Sequence, residues 1–307
     1  MQMSSFTGTE YHAKGKLLLT GEYFVLDGAM ALALPTRLGQ HFKITPRRPD
    51  ELTWQSYDAD GTCWFEATLA IPSLELVSGE HTETAQRLIE VLEQAFSLSS
   101  ITLNELAGCA IATQLDFSRH WGLGSSSTLI SFVAHLAQVD PYVLLAKTFG
   151  GSGYDLACAL AKGPIIYQNQ SAEPVAFQPA FADQLYFVYL GKKQNSREGI
   201  QRYRALGEKV KASLTAINQL TLDVAVCDSL KAFERLMLQH EEIVSSMLEL
   251  PRAQDLYFND YWGVVKSLGA WGGDFVLVTS ERDSTVAKAY FQEKGFEVIL
   301  SYKEMIL

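Results

Sequence analysis

Several features that would assign a protein class at once are missing from this chain of 307 residues. No apolar run approaches the ~18 residues that a membrane-spanning helix needs. The first residues contain no basic segment followed by an apolar core, so no secretory signal is expected. Cysteine is scarce, and its spacing fits no metal site, so we expect ordinary buried thiols in a reduced cytoplasm. The four cysteines are Cys63, Cys109, Cys158 and Cys227.

Positively charged residues are also fewer than negatively charged ones. The formal net charge is −10, with 25 Lys and Arg against 35 Asp and Glu. A nucleic-acid surface would need a basic stripe, so neither a nucleic-acid nor a membrane partner is expected. The hydrophobic content of 48% and the charged content of 20% are typical of a folded protein. At this length, two packed domains are expected rather than one.

The spacing of apolar residues predicts a β-rich first third followed by helices. Apolar runs at 16–20, 23–26 and 29–34 are interpreted as part of that β-rich region, and the last run ends at Pro35. The predicted strands are 41–45, 52–57, 63–69, 108–115, 164–168, 185–190, 275–279 and 296–300. The predicted helices are 84–96, 129–136, 141–148, 155–161, one from Ser196, two or three more to about Lys266, and one from Ser284. The polar segment 169–183 is the preferred domain boundary.

Residues 121–128, Trp-Gly-Leu-Gly-Ser-Ser-Ser-Thr, lie between a predicted strand and a predicted helix. Glycines allow a close backbone approach, and the free N–H groups of a helix start attract anions, so the segment predicts a phosphate site. A plain helix cap is the alternative. The segment is not a Walker loop, because no Gly-Lys-Ser/Thr follows. It is not a dinucleotide fingerprint either, because Ser127 replaces the third glycine. No Gly-x-Ser-x-Gly elbow of serine hydrolases is present.

Four segments, taken in order, resemble the motifs of the GHMP small-molecule kinases. The opening segment 13–28 reads AKGKLLLTGEYFVLDG, and the loop 122–126 reads GLGSS. Residues 151–157, GSGYDLA, resemble the segment that carries the catalytic aspartate of the family. Residues 266–274, KSLGAWGGD, are similar to its late glycine-rich element. Within the superfamily, Gly-Glu-Tyr, Gly-Ser-Gly-x-Asp and Gly-Gly-Asp most resemble phosphomevalonate kinases, with mevalonate kinases close behind.

This resemblance implies an α+β, two-domain GHMP kinase fold. Residues 1–170 would form the N-terminal ATP-binding domain, which is similar to ribosomal protein S5 domain 2. Residues 171–307 would form a ferredoxin-like α+β domain at the C-terminus. The implied function is ATP- and Mg²⁺-dependent phosphorylation of a small anionic metabolite, with phosphomevalonate in isoprenoid precursor synthesis as the first expectation. The expected location is the cytoplasm, and a homodimer is one option for assembly.

The resemblance also assigns roles to individual residues. Asp155 would orient or deprotonate the acceptor, with Lys16 as its cationic partner, and Ser126 and Asp155 would hold Mg²⁺. The ATP phosphates would be wrapped by Gly122, Leu123, Gly124, Ser125, Ser126 and Ser127. The implied acceptor-binding residues are Glu22, Lys192, Arg197, Gly269 and Gly272. Further cations considered for the acceptor are Lys147 and Lys193, together with the histidines His12, His120 and His135.

Simpler roles compete with each of these assignments. Lys16 could be a solvated lysine at a strand end, Asp155 a helix cap, and Glu22 a structural hydrogen-bonding group. The chain also departs from the family pattern, since Lys14, Ser118 and Leu268 replace usual residues and Trp271 replaces a glycine. Many family members hold Mg²⁺ with a glutamate upstream of the catalytic aspartate, but residues 142–148 of this chain contain no acid. Mevalonate, homoserine, a sugar or diphosphomevalonate therefore remain alternative substrates, and a degenerate homologue that binds without turnover remains an alternative function.

Overall fold

The computed structural model describes residues 6–47, 50–192, 196–269, 271 and 273–307, which form a mixed α+β fold. The chain divides into two compact units that are interleaved along the sequence. The first unit contains Met1–Gly15, Leu38–Arg119 and Leu123–Leu160, and the second contains Lys16–Arg37, His120–Gly122 and Ala161–Leu307. The domain division between residues 170 and 171 stays a prediction.

The first unit is built on a mixed β-sheet. Its strands follow the order β5-β4-β3-β6-β2, with β1 paired to β2. The pair β3 and β6 is parallel, whereas β2–β6, β3–β4 and β4–β5 are antiparallel. Strands β1 and β2 continue into the second unit. The bounds are β1 (Glu10–Leu18), β2 (Ala31–Pro46), β3 (Glu51–Tyr57), β4 (Cys63–Ala70), β5 (Leu76–Gly79) and β6 (Cys109–Leu115).

Four helices complete the first unit and share one hydrophobic core with its sheet. Thr82 begins the first helix by accepting a hydrogen bond from the Ala85 N–H at 3.2 Å. Its buried residues recur at spacings of three and four, and alternate residues of β6 are buried, as the sequence pattern requires. The helices are α1 (Glu83–Leu98), α2 (Ser125–Ala137), α3 (Pro141–Lys147) and α4 (Tyr154–Leu160).

The second unit contains a four-stranded antiparallel sheet of order β10-β11-β9-β12. The start of β2 also pairs with β7, which forms a hairpin with β8. The strands are β7 (Ile165–Gln168), β8 (Ser171–Pro174), β9 (Leu185–Tyr189), β10 (Val265–Ser267), β11 (Phe275–Thr279) and β12 (Ile299–Ser301). The helices are α5 (Ser196–Ala205), α6 (Lys211–Ala225), α7 (Leu230–Leu248), α8 (Ala253–Tyr257), α9 (Ser284–Glu293) and α10 (Tyr302–Met305).

The α+β class is confirmed, and most predicted elements are present within a few residues. Two were interpreted wrongly. The run 23–26 is a 3₁₀ turn, Phe24–Asp27, because Gly21 and Tyr23 have positive φ angles and turn the chain away from a strand. Strand β2 continues through Pro35, whose carbonyl accepts a hydrogen bond from the Leu307 N–H. Strand β8 lies within the polar segment 169–183, which stays the predicted domain boundary.

Two smaller expectations also need correction. Lys266 lies in β10 and not at the end of a helix. Only Cys109 and Cys158 are buried, whereas Cys63 is exposed and Cys227 is intermediate, so the four thiols do not share one environment. Within the described part of the chain, no helix has the length and apolar composition that crossing a bilayer requires.

Candidate active site

The predicted phosphate loop leaves β6 and turns directly into α2. Gly122 has φ 69° and Gly124 has φ 98°, which is the left-handed region that favours glycine. The first N–H groups of α2 have no partner within the helix and therefore face outward at its positive end. Ser126 is exposed, whereas the buried Ser127 donates its hydroxyl to the Gly124 carbonyl at 2.7 Å. The loop thus presents N–H groups and the Ser126 hydroxyl to a ligand.

The first part of this loop is anchored within the second unit. The Trp121 ring lies 5.5 Å from the ring of Phe275 in an edge-to-face contact and 6.1 Å from that of Tyr189. The Tyr189 hydroxyl donates to the His120 carbonyl at 3.1 Å. Two aromatic rings at the start of β11 and the end of β9 therefore fix the chain just before Gly122.

A carboxylate that sequence reasoning did not assign lies against the same loop. A Cβ atom placed on Gly122 would collide with the Asp274 carboxylate, and the φ angle of 69° also favours glycine at residue 122. Asp274 itself has φ 53°, and its backbone is held by hydrogen bonds to Leu190 and Lys192. The negative side chain next to Gly122 is a hard oxygen ligand of the kind that Mg²⁺ prefers. The Gly-Gly-Asp end of the fourth motif is the sequence signal for it.

Asp155 lies in the first turn of α4, after Gly153 with φ 89°. Its side chain is half-buried, and Oδ1 accepts a hydrogen bond from the Leu156 N–H at 3.1 Å. The pKa of Tyr142 is raised, first by burial and then by the charges of Asp140, Cys158 and Asp155. Asp155 therefore lies at the start of α4, near enough to the half-buried Tyr142 for its charge to act on that residue.

The other predicted site residues have varied environments. Lys16 is half-buried in β1, and Lys192 is exposed, with its carbonyl accepting from the Asp274 N–H at 2.7 Å. Gly269 has φ 64° and lies beside Asp274. The backbone of Arg197 belongs to α5, but its side chain lies outside the described residues, as do Gly272 and Lys193.

Glu22 lies in a fully buried ionic cluster of the second unit. Its carboxylate accepts a hydrogen bond from the Lys266 ammonium group and lies 3.2 Å from the His240 Nε2 atom. Lys266 also donates to the Ser267 carbonyl at 2.9 Å and lies 3.9 Å from Glu241. Side chains of Glu22, His240, Glu241 and Lys266 are all fully buried. Of the two roles left open for Glu22, this geometry supports the structural one.

Burial controls protonation in this ionic cluster. Desolvation raises the pKa of Glu22, against the opposing charge of Lys266, and lowers the pKa of His240 well below its usual range. The pKa of Glu241 is raised to about 7, mainly by burial. His240 Nε2 accepts a hydrogen bond from the Gly21 N–H at 2.9 Å, so the neutral ring carries its proton on Nδ1. No simple sequence pattern reveals this cluster, because its residues come from α7, β10 and the turn after β1.

Trp271, the departure from the family pattern, lies in the core of the second unit. Its side chain is 1% exposed and belongs to a cluster with Tyr23, Phe24 and Tyr203. The residue has φ 49°, a backbone conformation that is uncommon for a residue with a large side chain. The Nε1 atom has no hydrogen-bond partner among the described residues. Burial of the ring in this core gives no support to degeneration of the site.

Comparison with known proteins finds similarity in structure alone. No family model and no curated protein matches the sequence. Mevalonate kinase from Methanococcus jannaschii superimposes with a TM-score of 0.74 at 16% identity, covering 96% of this chain and 98% of that one. Streptococcus pneumoniae phosphomevalonate kinase, solved with phosphomevalonate and AMPPNP, gives 0.71 at 17%, covering 95% and 99%. Lactococcus lactis galactokinase with galactose gives 0.63 at 13%, covering 99% and 94%.

These solved structures share the arrangement of elements over almost the whole chain, at identities too low to transfer a substrate. The chain has the fold of the GHMP kinase superfamily.

Proposed function

We propose that this protein is an ATP- and Mg²⁺-dependent kinase that phosphorylates a small anionic metabolite, with phosphomevalonate as the first candidate acceptor. The observation that carries the proposal is the loop from Gly122 to Ser126. Two glycines in the left-handed backbone conformation precede a 13-residue helix there, and Ser126 is exposed. Phosphoryl transfer requires mainly positioning and charge neutralisation, and a helix start of this kind contributes to both.

The remaining roles follow from the resemblance to the family. Asp155 would orient the acceptor hydroxyl and receive its proton, while Lys16 would neutralise charge on the transferred phosphoryl group. Gly269 and the exposed Lys192 stay proposed acceptor contacts, as do Arg197 and Gly272.

Mg²⁺ would be held by the Ser126 hydroxyl and by the Asp155 carboxylate, as the resemblance implies. An ATP phosphate beside that carboxylate would be repelled without a cation, so the donor set fits a hard divalent ion. The bound ion would supply neutralisation of phosphate charge.

An ADP-release assay with mevalonate, phosphomevalonate and homoserine side by side tests the proposal. Phosphomevalonate should give the highest kcat/KM, and preference for another acceptor would keep the kinase class but replace the substrate. If neither these acceptors nor a sugar gave ADP release, the result would support a binding protein without turnover.

Asp155→Asn should lower acceptor-dependent turnover by about 10²–10⁴-fold while ATP binding, measured by calorimetry, stays close to wild type. Asp140→Asn is the matched control, because Asp140 caps α3 and asparagine caps a helix equally well. Unchanged turnover in Asp155→Asn would refute the role of Asp155.

A further inference from the structure

Three potential metal ligands converge on the surface of the first unit. None of them is a ligand that the four kinase motifs predict. His12 lies in β1, His41 lies in β2, and Asp116 directly follows β6. The His41 Nε2 atom is 3.2 Å from the Asp116 carboxylate, and the His12 Nε2 atom is 3.8 Å from it. All three ligand atoms lie within 4.8 Å of one another. Three neighbouring strands therefore aim two imidazoles at one carboxylate.

Gly39 holds this carboxylate and makes room for one imidazole. Its N–H donates to Asp116 Oδ2 at 3.0 Å, and its carbonyl accepts from the Asp116 N–H at 3.0 Å. A Cβ atom on Gly39 would lie 2.5 Å from His12 Nε2, so any larger residue would push the ring away. Strand backbone therefore orients the carboxylate, which is the support that a metal ligand requires.

We propose that His12, His41 and Asp116 form a binding site for Zn²⁺. Bonds of about 2.0–2.1 Å in a tetrahedral site place neighbouring ligand atoms about 3.3 Å apart, close to the two nitrogen–oxygen distances observed. Two imidazoles and one carboxylate leave a fourth position for water. Mg²⁺ and Ca²⁺ prefer oxygen ligands throughout, so the same donors select against them.

Burial and neighbouring charges act together on the His12 imidazole. Burial lowers the pKa of His12, and the neighbouring His41 and Lys14 lower it further, while Asp116 acts in the opposite direction. A neutral imidazole is the ligating form. The two histidine rings stack with centroids 4.3 Å apart, an arrangement in which two imidazolium ions would repel each other.

Titration of metal-free protein with Zn²⁺ against a chromogenic chelator at pH 7.5 tests the site. Wild type should bind one equivalent with micromolar affinity, and His41→Ala and Asp116→Asn should each weaken binding at least tenfold. His81→Ala is the control, because His81 is also exposed but lies outside the cluster. Mg²⁺ should not compete. Co²⁺ bound in place of Zn²⁺ should show the visible absorption of a tetrahedral complex, and that absorption should be lost in His41→Ala.

The side chain of His41 is 55% exposed, so its removal should leave the fold intact, which circular dichroism checks. Wild-type affinity in both His41→Ala and Asp116→Asn would overturn the proposal, as would the absence of stoichiometric Zn²⁺ binding by wild type. Equal weakening in His81→Ala would show nonspecific surface binding and would also overturn it.

Discussion

Two clusters in this molecule combine histidine and carboxylate side chains, and they differ in their contact with water. The cluster of Glu22, His240, Glu241 and Lys266 is fully buried, whereas that of His12, His41 and Asp116 is open to solvent. In the buried cluster, desolvation is the largest cause of each resolved pKa shift, and one shift reaches about 7 for a glutamate. In the open one, burial also lowers the pKa of His12, but the charge of Asp116 opposes the shift.

The difference shows what each arrangement can do. A buried charge must be paired within the protein, so its partners become essential to the fold. An exposed group is solvated whether or not it is paired, so its partners contribute little stability and stay accessible to a ligand. We therefore assign the buried cluster to structure and the open cluster to binding.

The largest effect is expected on removing the buried ammonium group. Lys266→Met leaves the Glu22 carboxylate buried without its cation and should lower the free energy of unfolding by about 3–5 kcal/mol, measured by urea denaturation. Lys43→Met is the control, because Lys43 pairs with Glu10 at 2.8 Å on the surface, and it should have a far smaller effect. The double variant Glu22→Leu/Lys266→Met should recover much of the loss. An equally small effect in Lys266→Met and Lys43→Met would contradict the structural role that we assign to the buried cluster.

A pH-dependent effect of somewhat smaller size is expected for Glu241. Its folded-state pKa of about 7 exceeds the usual 4.5, so the associated stability is complete below pH 4.5 and is lost as pH rises through 7. Relative to wild type, Glu241→Gln should gain about 3 kcal/mol of stability between pH 4.5 and pH 8. Comparing the two proteins at each pH cancels the opposite contribution of His240. Parallel stability curves for both proteins would contradict the raised pKa.

The smallest effect is expected in the exposed cluster. Without metal, His41→Ala should change the free energy of unfolding by less than about 1 kcal/mol, because the side chain is already solvated. In saturating Zn²⁺, wild type should gain thermal stability while the variant does not, because a ligand that binds only the folded state stabilises it. Scanning calorimetry with and without Zn²⁺ measures both values. A large metal-free loss would mean that His41 is structural.

Much of the local structure could be predicted from the sequence. Periodic apolar residues predicted α1 and the strand–loop–helix unit around Gly122, because such periods reflect which face is buried. The turn at Phe24–Asp27 was missed because positive φ angles at Gly21 and Tyr23 do not follow from apolar content. Strand β10 was missed because three residues are too few for a period.

The residues of the candidate site also divide into those that the sequence revealed and those whose position depends on the fold. The glycines and serines of the loop were visible in the sequence, since their chemistry acts through the local backbone. The sequence shows an aspartate at residue 274, but its approach to Gly122 depends on the route of the chain through β9 and β11. The same holds for Trp271, which the sequence marked as unusual and the structure buries in a core.

The sequence by itself determined the α+β class and the order of the four motifs, and it carried the prediction of a phosphate site in the loop, because each depends on neighbours along the chain. Only the tertiary structure decided which charges are buried together and which face water. Glu22 and Lys266 are 244 residues apart in the chain, and His12 lies in β1 whereas Asp116 follows β6. Their pKa values and pairings depend on desolvation and distance, which exist only once the chain has folded.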